Sequence, residues 1–214
     1  MTAPYRAPEA SHRYALELVR GADRDRFLGA LFAPEPARSG LLALLAFEHE
    51  LGRTRSVTRE PLLARIRLEW WREAVGEALG TGPPRAQPIV EALSETVRRC
   101  GLDPATLDAM IAAREEEIEG ALDVVRAGHA LADLELAVLG IEDEPSRRAA
   151  RAVGAAWLMG PGPERDALLA EARALRPQVD PRAVPVLLPA LALDDLPAWR
   201  KPLAYWWAAR RGRY

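Results

Sequence analysis

Between one proline or glycine and the next, the apolar residues of this chain recur every three or four positions, and that rhythm leaves room for little but helices. From Ser39 to about Thr54, Leu41, Leu44 and Leu45 join Leu42, Phe47 and Leu51 in a broad apolar face. After Pro61, Leu62, Ile66 and Trp70 form one stripe and Leu63, Trp71 and Val75 a second. No run alternates with period two, as a half-buried strand would, and no segment repeats. The reading is all-α.

The stops and starts divide the chain. Residues 1–10 read as a flexible, proline-bearing arm and residues 11–214 as one helical domain with a compact tail from about residue 161. Ser11 suits the cap of a helix from near His12, and Asp23 to Phe32 a short helix ended by Pro34 and Pro36. Helices are expected from Pro61 to Leu79, Pro88 to Arg99 with Gly101 as the stop, and Asp103-Pro104 to Ile118. Others are expected from Ala121 to Leu139 with an interruption at Gly128, Pro145 to Met159, Glu164 to Leu175 and Pro202 to Arg211. Residues 177–197 read as irregular.

Length and charge bound the function. The 214 residues are enough for one domain with a real core, and the net charge of −2 argues against a nucleic-acid binder. Lys201 is the only lysine and Cys100 the only cysteine. No disulfide within the chain or cysteine-based metal site follows, and a reducing compartment suits the composition. The first residues lack the charged start and apolar core of a secretory signal, so none is expected, and no apolar run nears the about 18 residues of a membrane span. The expected location is the cytoplasm, or the periphery of the inner membrane.

Several motifs together carry a resemblance. Ala46-Phe47-Glu48-His49-Glu50-Leu51-Gly52-Arg53-Thr54-Arg55-Ser56 leads into Arg67-Leu68-Glu69-Trp70-Trp71-Arg72-Glu73. Before it stand Asp23-Arg24-Asp25-Arg26-Phe27-Leu28 and Leu31-Phe32-Ala33-Pro34, and after it Gln87 to Leu93 and Met110 to Ile118. In order and spacing, over roughly residues 12–160, this resembles the squalene/phytoene synthase family of head-to-head prenyl transferases. The Ala46-Phe47-x-x-Glu50-Leu51 run with Arg55 is most similar to its branch related to the mitochondrial complex I assembly factor. The resemblance implies a shortened single-domain helical bundle of the isoprenoid (terpenoid) synthase type. In the family's enzymes the Ala-Phe pair is followed by Asp-Asp-x-x-Asp. The same register here reads Gly52-Arg53-Thr54-Arg55-Ser56, and the helix matching the second aspartate cluster offers Ala152 to Leu158 without a carboxylate.

Prenyl transfer ionises an allylic diphosphate, and Mg²⁺ held by carboxylates neutralises the leaving group. Gly52 and Ser56 at i and i+4 hold no ion. No catalytic and no metal-binding residue is therefore assigned, and no cofactor; Mg²⁺ enters only under a transferase reading. The candidate pocket is Phe47, Glu50, Arg53, Arg67, Trp70, Trp71 and Arg114. Trp70 and Trp71 point in different directions, one to the core and one to a cavity wall. Glu50 pairs with Arg53 or contacts a ligand. Arg53, Arg55 and Arg59 are solvated or bind an anion. Glu115 and Glu119 share a face, read as a solvated acidic surface with Glu116 and Glu117, metal binding being the minority alternative. Asp194-Asp195 reads as a decoy diacid in a loop. His12, His49 and His129 lack ligand spacing, and Gly160 and Gly162 mark a turn.

Three functions compete: a non-catalytic factor that binds a lipid or a protein, a prenyl transferase with an atypical glutamate site, and a generic helical interaction module. Partners implied for the first are an isoprenoid-like lipid and a respiratory complex I subunit or assembly intermediate. Trp199, Trp206 and Trp207 among Arg200, Lys201, Arg210, Arg211 and Arg213 suit a membrane surface. The alternative is that Leu203, Trp206 and Trp207 dock the last helix onto the core.

Overall fold

The computed structural model describes residues 5–58, 60–194, 197, 199–212 and 214. Arg59, Asp195 and Arg213, singled out above, lie outside the described residues. Among the described residues every regular element is helical. The helices are α1 (Glu9–Ala22), α2 (Arg24–Ala30), α3 (Ala37–Gly52), α4 (Thr54–Val57), α5 (Pro61–Leu79) and α6 (Pro88–Cys100). They continue as α7 (Pro104–Glu119), α8 (Val124–Leu139), α9 (Glu144–Leu158), α10 (Pro163–Ala174), α11 (Val184–Leu187) and α12 (Lys201–Arg211).

Local chemistry sets most boundaries. Asp103, Asp123 and Asp143 accept backbone N–H groups at the starts of α7, α8 and α9. Gly101 ends α6 at φ 62°, a left-handed conformation that favours glycine. Other boundaries depart from the sequence reading. Helix α1 begins at Glu9, inside the stretch read as an arm, because Ala7 N–H donates to the Glu95 carboxylate on α6 and fixes the chain there. Ser11 does not cap; its hydroxyl donates to Glu91 across the helix interface at 2.5 Å. Residues 176–194 are not merely irregular. They form 3-10 turns around α11 that bury Val184, Leu187 and Leu188.

Helix α3 is the central element and packs against α1, α2, α6, α7 and α8. It is buried nearly all round, with Leu44, Ala46 and Phe47 fully inside, as an axial helix must be. Helices α5 and α7 close one side of it, and α8, α9 and α10 form a layer on the other. Helices α8 and α9 touch backbone to backbone. A Cβ added at Gly128 would stand 2.4 Å from Ala155 N, and one at Gly154 2.5 Å from Gly128 O. Gly128 therefore does not interrupt α8, as its sequence suggested; it lets α9 approach.

Helix α12 docks on α2 and the preceding 3-10 turn through Tyr205 and Ala208, and Lys201 Nζ donates to Asp25 at 2.6 Å. Leu203, Trp206 and Trp207 face outward, so the docking role expected for them belongs to Tyr205 and Ala208. No helix among the described residues is long and apolar enough to cross a membrane.

Candidate functional site

Two glutamates on α3, two positions apart, point to different sides of the helix, and arginines hold all four of their oxygens. On the outer side Glu50 accepts from Arg53 and from Arg67 of α5, each at 2.6 Å. On the inner side Glu48 accepts from Arg26 of α2 and from Arg114 of α7, each at 2.9 Å. Arg26 also reaches Asp23, and Arg114 reaches Glu117 at 3.0 Å. The Arg114 guanidinium fills the space beside Gly52, where an added Cβ would lie 3.2 Å from Nη2.

Burial drives the Glu48 carboxyl upward, yet the Arg26 and Arg114 guanidiniums beside it override that and hold it below the ordinary glutamate value. Glu135 of α8 lies near the same arginine without a direct bond. Burial pushes its carboxyl up to about 8, Arg26 opposes the shift, and Glu48 and Asp23 add to it. Arg26 also stands over the Trp157 ring at 5.5 Å. The cavity between these groups measures about 30 Å³, and one beside Arg114 and Met110 about 10 Å³.

The roomy space lies outside. An open groove of about 630 Å³ runs between α4 and α5, with Glu50 and Arg67 at its floor and Val57, Leu63, Ile66 and Trp70 on its walls. Trp71 is 2% exposed and meets Phe47 edge-on at 5.5 Å, while Trp70 is 37% exposed and meets Trp71 at 4.9 Å. Ile66 belongs to the apolar stripe that begins at Leu62 and ends at Trp70. It is 57% exposed, because among the described residues no helix covers the Leu62-Ile66-Trp70 stripe. Trp71→Ala should therefore cost about 3–5 kcal/mol and Trp70→Ala about 1 kcal/mol or less. Urea midpoints measure both, and equal losses would contradict this placement.

Of the candidate pocket, Phe47, Glu50, Arg53, Arg67, Trp70 and Trp71 thus come together, and Arg114 lies on the far side of Gly52 with Glu48. Arg55 donates to the Ile118 carbonyl. The α7 acidic face is not merely solvated: Glu115 takes two bonds from Arg72 at 2.8 Å, Glu116 one from Arg126, and Glu119 pairs with Arg65. Among the described residues no group of three or more His, Cys, Asp or Glu is placed to hold a metal ion. Sequence reasoning missed Arg26, Glu48 and Glu135. Two of them carried a signal: Glu48 lies between Leu44 and Leu51, and Glu135 between Leu131 and Val138, charged positions on apolar stripes.

The Glu135 carboxyl gives a pH dependence. Its folded value lies above its unfolded one, so the folded state holds the extra proton and stability falls as pH rises from about 4.5 to about 8, then levels. Glu135→Gln should flatten that part of the melting-temperature profile. An unchanged slope would mean that the carboxyl is solvated.

Residues 19–159 match the family described as squalene/phytoene synthase. The chain belongs to that family. It is 31% identical over 155 residues to "NADH dehydrogenase (ubiquinone) complex I, assembly factor 6" of Bos taurus, covering 67% of this chain and 46% of that protein. With the Homo sapiens protein of the same name the identity is 29% over 154 residues, covering 67% and 45%. The chain thus spans about half the length of the curated relatives it matches. Its fold is similar to that of squalene synthase HpnC from Alicyclobacillus acidocaldarius, with a TM-score of 0.68 at 16% identity, covering 95% of this chain and 94% of that one. This likeness fixes the isoprenoid synthase type of fold.

Proposed function

We propose that this family member works by binding, as a factor in the assembly of respiratory complex I, and not by prenyl transfer. The observation that carries the reading is the arginine-filled centre. Gly52, in the register where the resemblance would put the enzymes' first aspartate, stands against Arg114, and every carboxylate oxygen of Glu48 and Glu50 is engaged by a guanidinium. Such oxygens do not suit Mg²⁺, which needs carboxylates free to bridge to phosphate. The spaces beside Glu135 and beside Arg114, about 30 and 10 Å³, are far smaller than the roughly 300–1,000 Å³ of ordinary ligand sites. On α7 Arg72 takes both oxygens of Glu115, Glu119 pairs with Arg65, and among the described residues no third ligating side chain joins them. The names of the curated relatives support the assembly role.

Binding would use the α4–α5 groove. Leu62, Leu63, Ile66, Val57 and Trp70 expose an apolar face beside the Glu50–Arg67 pair, as interfaces with an aromatic anchor do. The partner is a complex I subunit or assembly intermediate that presents an apolar segment. An isoprenoid-like lipid tail would lie in this same groove, because the spaces beside Glu135 and Arg114 are too small for it. The test is genetic and enzymatic. Deletion in the native host should lower assembled complex I on native gels. The wild-type protein should restore it and Ile66→Asp should not, while the purified protein releases no diphosphate from farnesyl diphosphate and Mg²⁺. Normal complex I in the deletion strain, or sustained diphosphate release, would overturn the proposal.

A further inference from the structure

Helix α12 presents a second unpartnered face, of different chemistry. Leu203, Trp206 and Trp207 share one side of the helix at i, i+3 and i+4, and Trp199 precedes them in the turn before it. Their exposures are 61%, 45%, 52% and 69%, high for residues of this size. The opposite side carries Tyr205 and Ala208, which hold the helix to the core. The exposed face is thus kept outward by the fold.

The charged side chains of this segment are all of one sign. From Pro197 to Tyr214 the chain has no Asp or Glu. The guanidinium of Arg200 stacks on Trp199 at 4.7 Å, that of Arg210 on Trp206 at 4.9 Å, and that of Arg211 on Trp207 at 4.3 Å. Across the rest of the fold most arginines reach a carboxylate, but among the described residues Arg200, Arg210 and Arg211 form no ion pair. Trp–arginine pairs of this kind place a ring where apolar and polar media meet and a cation beside it, free to meet a phosphate.

We infer that the α12 face is a docking surface for an anionic lipid bilayer, with Trp199, Leu203, Trp206 and Trp207 entering the headgroup–acyl boundary and Arg200, Arg210 and Arg211 meeting lipid phosphates. The charge decides between occupants. A second copy of this chain would bring the same three cations against themselves, whereas an anionic surface neutralises them. The helix is short, so binding is reversible and needs both the apolar and the electrostatic contribution.

Co-sedimentation of the full chain with vesicles tests this. Binding is expected to vesicles of equal parts phosphatidylcholine and phosphatidylglycerol, with little to phosphatidylcholine alone. It should weaken as salt shortens the screening length from about 10 Å at 0.1 M to about 3 Å at 1 M. Trp206→Ser with Trp207→Ser should lower partitioning by about tenfold or more, and Arg210→Gln with Arg211→Gln should lower it and remove much of the salt dependence. All four positions are exposed, and thermal melts check that the variants fold. In the unchanged protein, brominated acyl chains should quench tryptophan emission, a readout that needs no variant. Equal sedimentation of variant and wild type, equal binding to neutral and anionic vesicles, or absence of quenching would each overturn the inference. So would a dimer in solution that the tryptophan substitutions dissociate, since the face would then belong to a second copy.

Discussion

Glu48→Ala is expected to destabilise the protein by about 3–5 kcal/mol, because it leaves two buried guanidiniums without their shared counter-charge. Arg26 and Arg114 are each 12–13% exposed at the side chain, and Glu48 11%, so solvent screens the triad little. The comparison that isolates charge from packing replaces Arg26, Glu48 and Arg114 together with methionine. That variant should regain much of the loss, since an apolar replacement removes the desolvation penalty along with the attraction. Acid should act in the direction of the single substitution. The folded Glu48 value lies below the unfolded one, so its contribution is present above the unfolded value and is lost as pH falls through the folded one. Chemical denaturation of the three proteins at neutral pH is the measurement. A Glu48→Ala loss below 1 kcal/mol would mean that the arginines find water or other partners.

Gly128→Val is expected to cost about 3 kcal/mol or more, a large part of the roughly 5–15 kcal/mol that holds a domain folded. The added carbon would stand 2.4 Å from one backbone atom of α9 and 2.5 Å from another, and backbone cannot swing aside as a side chain can. Gly128→Ala sharpens the test. Alanine is the better helix former by about 1 kcal/mol, so an uncrowded site would be stabilised by it. A lower melting temperature for Gly128→Ala establishes the close approach, and a raised one refutes it.

These two positions show how far the sequence could be read. Helix class and most boundaries were legible because they rest on neighbours: Asp103 before Pro104, Gly101 after Cys100, Pro61 at the start of α5. Gly128 misled because its reason lies in α9, about 26 residues further on. Ser11 misled likewise, since Glu91 outcompetes the local backbone for its hydroxyl. In the candidate site, Glu50, Arg67, Trp70 and Trp71 all line the groove between α4 and α5. The spacing of Leu62, Ile66 and Trp70 showed a stripe but not whether a helix would cover it. The Glu48 triad draws on α2, α3 and α7, and no local pattern names three partners at once.

Lys201 has a practical consequence. It is the chain's only lysine, and its amine is held against Asp25 with the side chain 20% exposed. An amine-selective acylating reagent therefore reads one side-chain position, which peptide mapping separates from the terminal amine. Because the amine must leave Asp25 to react, the rate of labelling is a clock for the opening of the ion pair that ties the final helix to α2. The same clock, run on protein in solution and on protein at a surface, tells whether that helix stays seated when it binds.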